Sequence, residues 1–191
     1  MLKYKGWRVM DKGTAIEILA KAIQFEIEGH DFYERTGKRT KNIKGKALFS
    51  QLAKDETRHA NLLIAQYNSL KEKGGWIPYN EILKGIDPEE IKRQREVFTK
   101  PIKGQKKGHN QIGKDTDDIG ALRLAISQEE EAQVFYRDAG MKTSDPQGKI
   151  LYSKLVEMEG KHLTILNAEY DSLSNSGYWC DFPEFTMETM E

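Results

Sequence analysis

Residues 55–59 read Asp-Glu-Thr-Arg-His and residues 159–162 read Glu-Gly-Lys-His, so a histidine follows a glutamate by three positions in each segment. A further glutamate stands 30 residues before each of these glutamates, and the two copies are offset by 103 residues throughout. Two glutamates and a histidine, doubled by an internal repeat, are the ligand set of a carboxylate-bridged two-metal centre in a four-helix bundle. The predicted metal ligands are Glu26, Glu56, His59, Glu129, Glu159 and His162.

Four long helices are predicted around these glutamates. Apolar residues recur at every third and fourth position, a spacing that places side chains on one helical face. Thr14 with Glu17 forms a capping box, Asp145-Pro146 marks a helix start, and Gly74 marks a helix end. The predicted helices span about 14–39, 43–73, 116–141 and 146–174.

The repeat extends beyond the glutamates, which indicates one pseudo-symmetric unit. Phe32-Tyr33 corresponds to Phe135-Tyr136, and the Trp76 region corresponds to the Trp179 region. Two copies fit a single bundle, because a solenoid needs at least three repeats. We therefore predict one all-α domain over residues 1–191, a ferritin-like four-helix bundle with an internal pseudo-twofold repeat and a long crossover between its second and third helices.

The crossover at 75–114 is predicted to hold a short helix at about 88–98 and a basic stretch from Lys100 to Lys114. That stretch reads as a solvated loop, with a docking site for a partner as the alternative. The tail at 175–191 is aromatic and acidic, and we expect it to pack over the bundle or across a dimer interface.

The two hairpins should bring the six ligands together. The midpoint of positions 26 and 56 is 41 and that of 129 and 159 is 144, both within polar segments suited to turns. Residues equidistant from a turn share a height, here roughly 22 Å from each turn. Four carboxylates on apolar seams repel one another unless cations neutralise them, the alternative being ordinary salt-bridged glutamates and hydrogen-bonded histidines. Oxygen-rich sites with one imidazole per metal favour two iron ions, with manganese or zinc as possible substitutes.

Composition excludes several other classes. The chain has 191 residues with 30 acidic and 30 basic side chains, so no net charge recruits nucleic acid or an anionic membrane. A single cysteine excludes an internal disulfide and a Cys-x-x-Cys pair. No apolar run approaches the roughly 20 residues of a membrane span, and the start lacks the apolar core of a signal peptide. We expect a cytoplasmic protein.

These motifs, together with a tyrosine seven residues after the first glutamate of each half, resemble the rubrerythrin group of ferritin-like di-iron proteins over about 14–73 and 116–174. The resemblance implies a di-iron centre with the six residues above as ligands. It also implies that Tyr33 and Tyr136 hydrogen-bond ligand carboxylates across the pseudo-twofold axis, whereas simple core packing is the alternative for both. Asp55 could orient a ligand histidine, with Arg58 as a rival partner.

The chain also departs from that family. Rubrerythrins proper carry a cysteine-rich rubredoxin domain, which a chain with one cysteine lacks, so electrons would come from a separate protein. Rubrerythrins have a further glutamate three residues beyond the ligand of the third helix, where this chain has Ala132, and the repeat equivalent is Gly29. His30 lies one turn past Glu26 and could be an additional ligand, a proton shuttle or an ordinary buried donor.

The leading functional expectation is a di-iron oxidase or peroxidase that reduces dioxygen or hydrogen peroxide, with the small residues Gly29 and Ala132 leaving room beside the metals. The alternatives are a ferroxidase or iron-storage protein of ferritin type, a substrate hydroxylase, and a structural bundle without catalytic metal. A homodimer is expected, without nucleic acid or membrane partners.

Overall fold

The protein is built from two antiparallel helical hairpins. The computed structural model describes residues 12–82, 84, 93, 96–98, 113 and 116–180, and all regular secondary structure in these residues is helical. The all-α prediction is therefore confirmed. The α-helices are α1 (Lys12–Arg39), α2 (Ile43–Asn68), α3 (Tyr79–Ile82), α4 (Asp118–Lys142) and α5 (Pro146–Ser176).

Local signals in the sequence mark most ends of the long helices, but the predicted capping box at Thr14 does not mark the start of α1, which is already helical at Lys12. The Asn42 side chain accepts a hydrogen bond from the backbone N–H of Lys44 at 2.9 Å, and Asp145 caps α5 in the same way. Gly74 and Gly177, one repeat apart, end their helices with φ of 76° and 77°, the left-handed conformation that glycine adopts without steric cost.

The second helix differs from a regular α-helix in its last turn. The sequence predicted one helix over 43–73, but the α-helix ends at Asn68, and Ser69–Lys73 form a π-helical turn. The predicted short helix at 88–98 lies largely outside the described residues, although residues 93 and 96–98 are helical. The basic stretch, apart from residue 113, and the tail beyond 180 lie outside them as well. The short helix α3 was not predicted.

Two tryptophans join the hairpins crosswise. Trp179, which follows α5, packs on Gly45 at the start of α2, and a Cβ atom there would lie 2.6 Å from its Cζ2. Trp76, which follows α2, packs on Gly148 at the start of α5, where the same distance would be 3.0 Å. The close approach of the indole ring therefore favours glycine over any larger residue at Gly45.

None of the described helices is both long enough and apolar enough to cross a membrane.

Candidate metal centre

The structure brings the six predicted ligands together at the middle of the bundle. Glu26 comes from α1, Glu129 from α4, and each of α2 and α5 supplies a glutamate and a histidine. Each of the six is at most 4% exposed. Their oxygen and nitrogen atoms form two groups, each of four ligand atoms that lie within 4.8 Å of one another.

The first group surrounds the Nδ1 atom of His59. This atom lies 3.3 Å from Oε2 of Glu26, 3.5 Å from Oε2 of Glu56 and 3.3 Å from Oε1 of Glu159. Three of these four side chains come from the first hairpin, and Glu159 comes from the second. The group is therefore complete only when the hairpins are packed together.

The second group surrounds the Nδ1 atom of His162 and mirrors the first. This atom lies 3.3 Å from Oε1 of Glu129, 3.0 Å from Oε2 of Glu159 and 3.4 Å from Oε1 of Glu56. Glu56 and Glu159 each direct one oxygen to one histidine and the other oxygen to the other. These two glutamates are therefore shared by both groups.

Unpaired polar atoms at the centre fit a bound cation. Oε2 of Glu26, both carboxylate oxygens of Glu159, and Nδ1 of His59 and of His162 have no hydrogen-bond partner among the described residues. Buried polar atoms without partners are rare, because each costs about 1–3 kcal/mol. Two divalent ions would satisfy these atoms at once, and a set of four carboxylates and two imidazoles suits iron or manganese.

Burial and mutual repulsion affect Glu26 and Glu129 most strongly. Burial, followed by the charges of Glu56 and Glu159, raises the pKa of Glu26 well above its usual value. Burial likewise raises the pKa of Glu129 to about 8, although His162 opposes the shift. Both carboxyls therefore lose their protons less readily than ordinary glutamates in the metal-free protein.

The two bridging glutamates and the two histidines shift in the opposite sense. Burial opposes ionisation of Glu56 and Glu159, but the side chains that face them, chiefly His59 and His162, outweigh it and lower both pKa values. Burial also opposes protonation of His59 and His162, but the carboxylates, led by Glu159 and Glu129 respectively, raise both histidine pKa values. A bound cation would therefore compete with protons held by these groups.

Two tyrosines link the hairpins at the centre. The hydroxyl of Tyr33, on α1, donates to Oε1 of Glu129 on α4, and the hydroxyl of Tyr136, on α4, donates to Oε1 of Glu26 on α1. Both tyrosines are at most 1% exposed. Glu26 and Glu129 each belong to only one of the two groups, and each of these bonds fixes the orientation of one of them.

His30 does not belong to either group of potential ligands. Its Nδ1 atom lies 2.8 Å from the carbonyl oxygen of Ala53 and 3.1 Å from Oγ1 of Thr57, both on α2. Its repeat equivalent Gln133 makes the matching bond to the carbonyl oxygen of Val156 at 3.1 Å. Both copies thus use this position to tie the two helices of a hairpin together.

Asp55 bonds Arg58 through one oxygen and faces His162 with the other, so both of the partners considered for it lie nearby. Its Oδ1 atom accepts from Arg58 at 2.8 Å and from Gln51 at 3.0 Å. Its Oδ2 atom lies 3.9 Å from Nε2 of His162 and has no hydrogen-bond partner among the described residues. Asp55 itself is 1% exposed.

Residues 17–170 match the family model described as Rubrerythrin. The structure is also similar to that of a hypothetical protein from Pyrococcus furiosus, with a TM-score of 0.60 and 26% sequence identity over 84% of this chain and 90% of that chain. A search of functionally curated proteins found no match.

Proposed function

The chain belongs to the rubrerythrin family, whose fold is the ferritin-like bundle, and on this basis we propose that it is a non-haem di-iron oxidase or peroxidase. It would reduce dioxygen or hydrogen peroxide with electrons from a separate donor protein. The observation that supports this proposal best is the pair of buried ligand groups that share Glu56 and Glu159. Iron is proposed as the resident metal, with manganese or zinc as substitutes.

In this proposal the two groups of side chains hold one ion each. Glu26 and His59 would hold one ion, Glu129 and His162 would hold the other, and the shared Glu56 and Glu159 would contribute to both positions. The metal pair, when bound, supplies the two-electron redox chemistry.

The protein residues around the centre exclude water and control protons. The ligands are buried, so water does not solvate their charges. Tyr136 holds a proton at Oε1 of Glu26, and Tyr33 holds one at Oε1 of Glu129. Gly29 faces Glu56, and a Cβ atom there would lie 3.4 Å from the carboxylate carbon, so the absent side chain leaves room next to a bridging ligand.

The proposal is tested by loading the protein with ferrous iron without oxygen and adding hydrogen peroxide or dioxygen. We expect two irons per chain to be oxidised, which stopped-flow absorbance measures. We also expect turnover when a reductant is supplied. Glu159→Gln should abolish this activity. Glu157→Gln, on the exposed face of the same helix, should not change it. Iron-loaded protein that reacts with neither oxidant would contradict the proposal.

We also propose a homodimer, and light scattering tests it. A closed shell of many subunits would instead favour iron storage.

A further inference from the structure

Asp55 lies behind only one of the two candidate ligand histidines. Its Oδ2 atom lies 3.9 Å from Nε2 of His162, on the side of the ring opposite the Nδ1 atom that faces the carboxylates. The other oxygen accepts hydrogen bonds from Gln51 and Arg58, at 3.0 and 2.8 Å, so Oδ2 remains directed toward His162. Oδ2 has no competing hydrogen-bond partner among the described residues.

The repeat breaks at this position. The residue 103 positions after Asp55 is Met158, which is buried and carries no charge. The equivalents of Gln51 and Arg58 are Lys154 and Lys161, which pair with the exposed Glu157 instead. Among the described residues, the carboxylates within 4.0 Å of His59 all approach its Nδ1 atom. The two histidines thus have similar surroundings at Nδ1, which faces the centre, and different surroundings at Nε2.

A carboxylate behind a ligand imidazole strengthens metal binding. When a metal occupies Nδ1, the proton of a neutral ring resides on Nε2, and donation of that proton to a carboxylate makes the ring a better electron donor. Loss of such a partner typically lowers metal affinity 10- to 100-fold. The separation of 3.9 Å must shorten by about 1 Å to reach hydrogen-bond distance, and the free Oδ2 atom leaves no other bond to break.

We propose that the two metal positions of this protein have different affinities, and that the position built by Glu129 and His162 fills first because Asp55 supports His162 and not His59. This inference rests on the proposed function only in requiring that divalent metal binds. Asp55 is a positioning residue here, since it would act on the metal through His162. In an otherwise symmetric centre, it makes the two positions distinguishable.

The order of filling can be read directly by NMR on metal-free protein titrated with Zn²⁺. Zinc is diamagnetic and does not change oxidation state, so the readout is independent of catalysis. The chain has four histidines, and their ¹⁵N-labelled ring signals can be assigned with single His→Gln variants. We expect the His162 signals to shift during the first equivalent and those of His59 during the second, with binding constants at least tenfold apart.

Two variants separate the role of Asp55 from a general effect on folding. Asp55→Asn retains an amide oxygen for Gln51 and Arg58 but removes the charge that faces His162. We expect it to weaken the first binding step 10- to 100-fold and the second less than twofold, so that the two steps merge. Met158→Leu, at the repeat-equivalent position, should change neither step. Circular dichroism of the metal-free variants checks that both remain folded.

The outcomes distinguish this inference from the proposed function. Two zinc ions that bind with equal affinity, or first occupancy at His59, would overturn the inference and leave a two-metal protein. Equal weakening of both steps by Asp55→Asn would do the same. Failure of native protein to bind any divalent ion would overturn both.

Discussion

The substitution Gly45→Ala should loosen the contact between the two hairpins. Gly45 is the third residue of α2, and its added Cβ atom would lie 2.6 Å from Cζ2 and 2.9 Å from Cε2 of Trp179. It would also lie 2.7 Å from Cγ2 of Thr40. The indole ring must therefore move. Trp179 packs edge-to-face on Phe49 with centroids 5.9 Å apart, so its displacement is transmitted into the core.

The magnitude follows from two opposing effects. Overpacking of a filled core costs about 1–3 kcal/mol. Replacement of glycine by alanine inside a helix returns up to about 1 kcal/mol, and less near a helix end. We expect Gly45→Ala to lower the free energy of unfolding by about 1–2 kcal/mol, which corresponds to a decrease in Tm of roughly 2–8 °C for a domain of this size.

The assay is urea denaturation of metal-free protein, with the repeat-equivalent Gly148→Ala as a matched control. The nearest atoms at Gly148, on Thr143 and Trp76, would lie 3.0 Å away, so they need to move only slightly and stability should change by less than about 1 kcal/mol. Trp179→Phe should lower the free energy of unfolding less in the Gly45→Ala variant than in the native protein. A Gly45→Ala variant as stable as the native protein, or no difference between the two glycines, would refute the reasoning.

Three further predictions concern buried polar groups. Tyr152→Phe should raise the free energy of unfolding by about 1 kcal/mol in urea denaturation, because the buried Tyr152 hydroxyl lacks a hydrogen-bond partner among the described residues and the repeat equivalent is Phe49; a loss of stability would contradict this. Burial raises the pKa of Glu169 above 4.5, so the folded state holds the proton more tightly and this group's contribution to stability falls as pH rises from that value. Glu169→Gln should remove that pH dependence but keep the hydrogen bond from the backbone N–H of Cys180, since the equivalent Gln66 accepts one from Ile77. The difference in unfolding free energy between native protein and variant, compared at pH 5 and pH 8, measures the effect. Metal loading at pH 7 should release at least one proton per chain, since burial raises the pKa of Glu129 to about 8 and a bound cation would displace that proton; a pH-stat titration that finds no proton release would contradict this.

The convergence of the six side chains could be predicted because two simple rules govern it. Helical periodicity places Glu56 and His59 on one face, and the distance from the turn places Glu26 at the same height. The same rules apply to the second copy. That these residues bind metal remains a prediction that the loading experiments test.

The rest depends on packing that sequence spacing does not encode. His30 follows Glu26 by four residues, so the pattern placed it near the metals, yet its ring nitrogen bonds the carbonyl of Ala53. Helical spacing predicts the face of the helix on which His30 lies. It does not predict the orientation of the side chain, which decides whether the ring joins the ligand groups or bonds the backbone of α2. The π-helical turn at Ser69–Lys73 was likewise not predicted, because the apolar spacing of the sequence does not distinguish it from an α-helical turn.

Tyr33 bonds Glu129, and Tyr136 bonds Glu26, so each hairpin gives its neighbour the same bond that it receives. A surface that is its own complement is the defining property of a twofold dimer. A single hairpin with these residues would therefore carry the groups needed to pair with a second copy of itself. Because both copies here lie in one chain, their equivalent positions need not be identical, and the pair Asp55 and Met158 is one such difference.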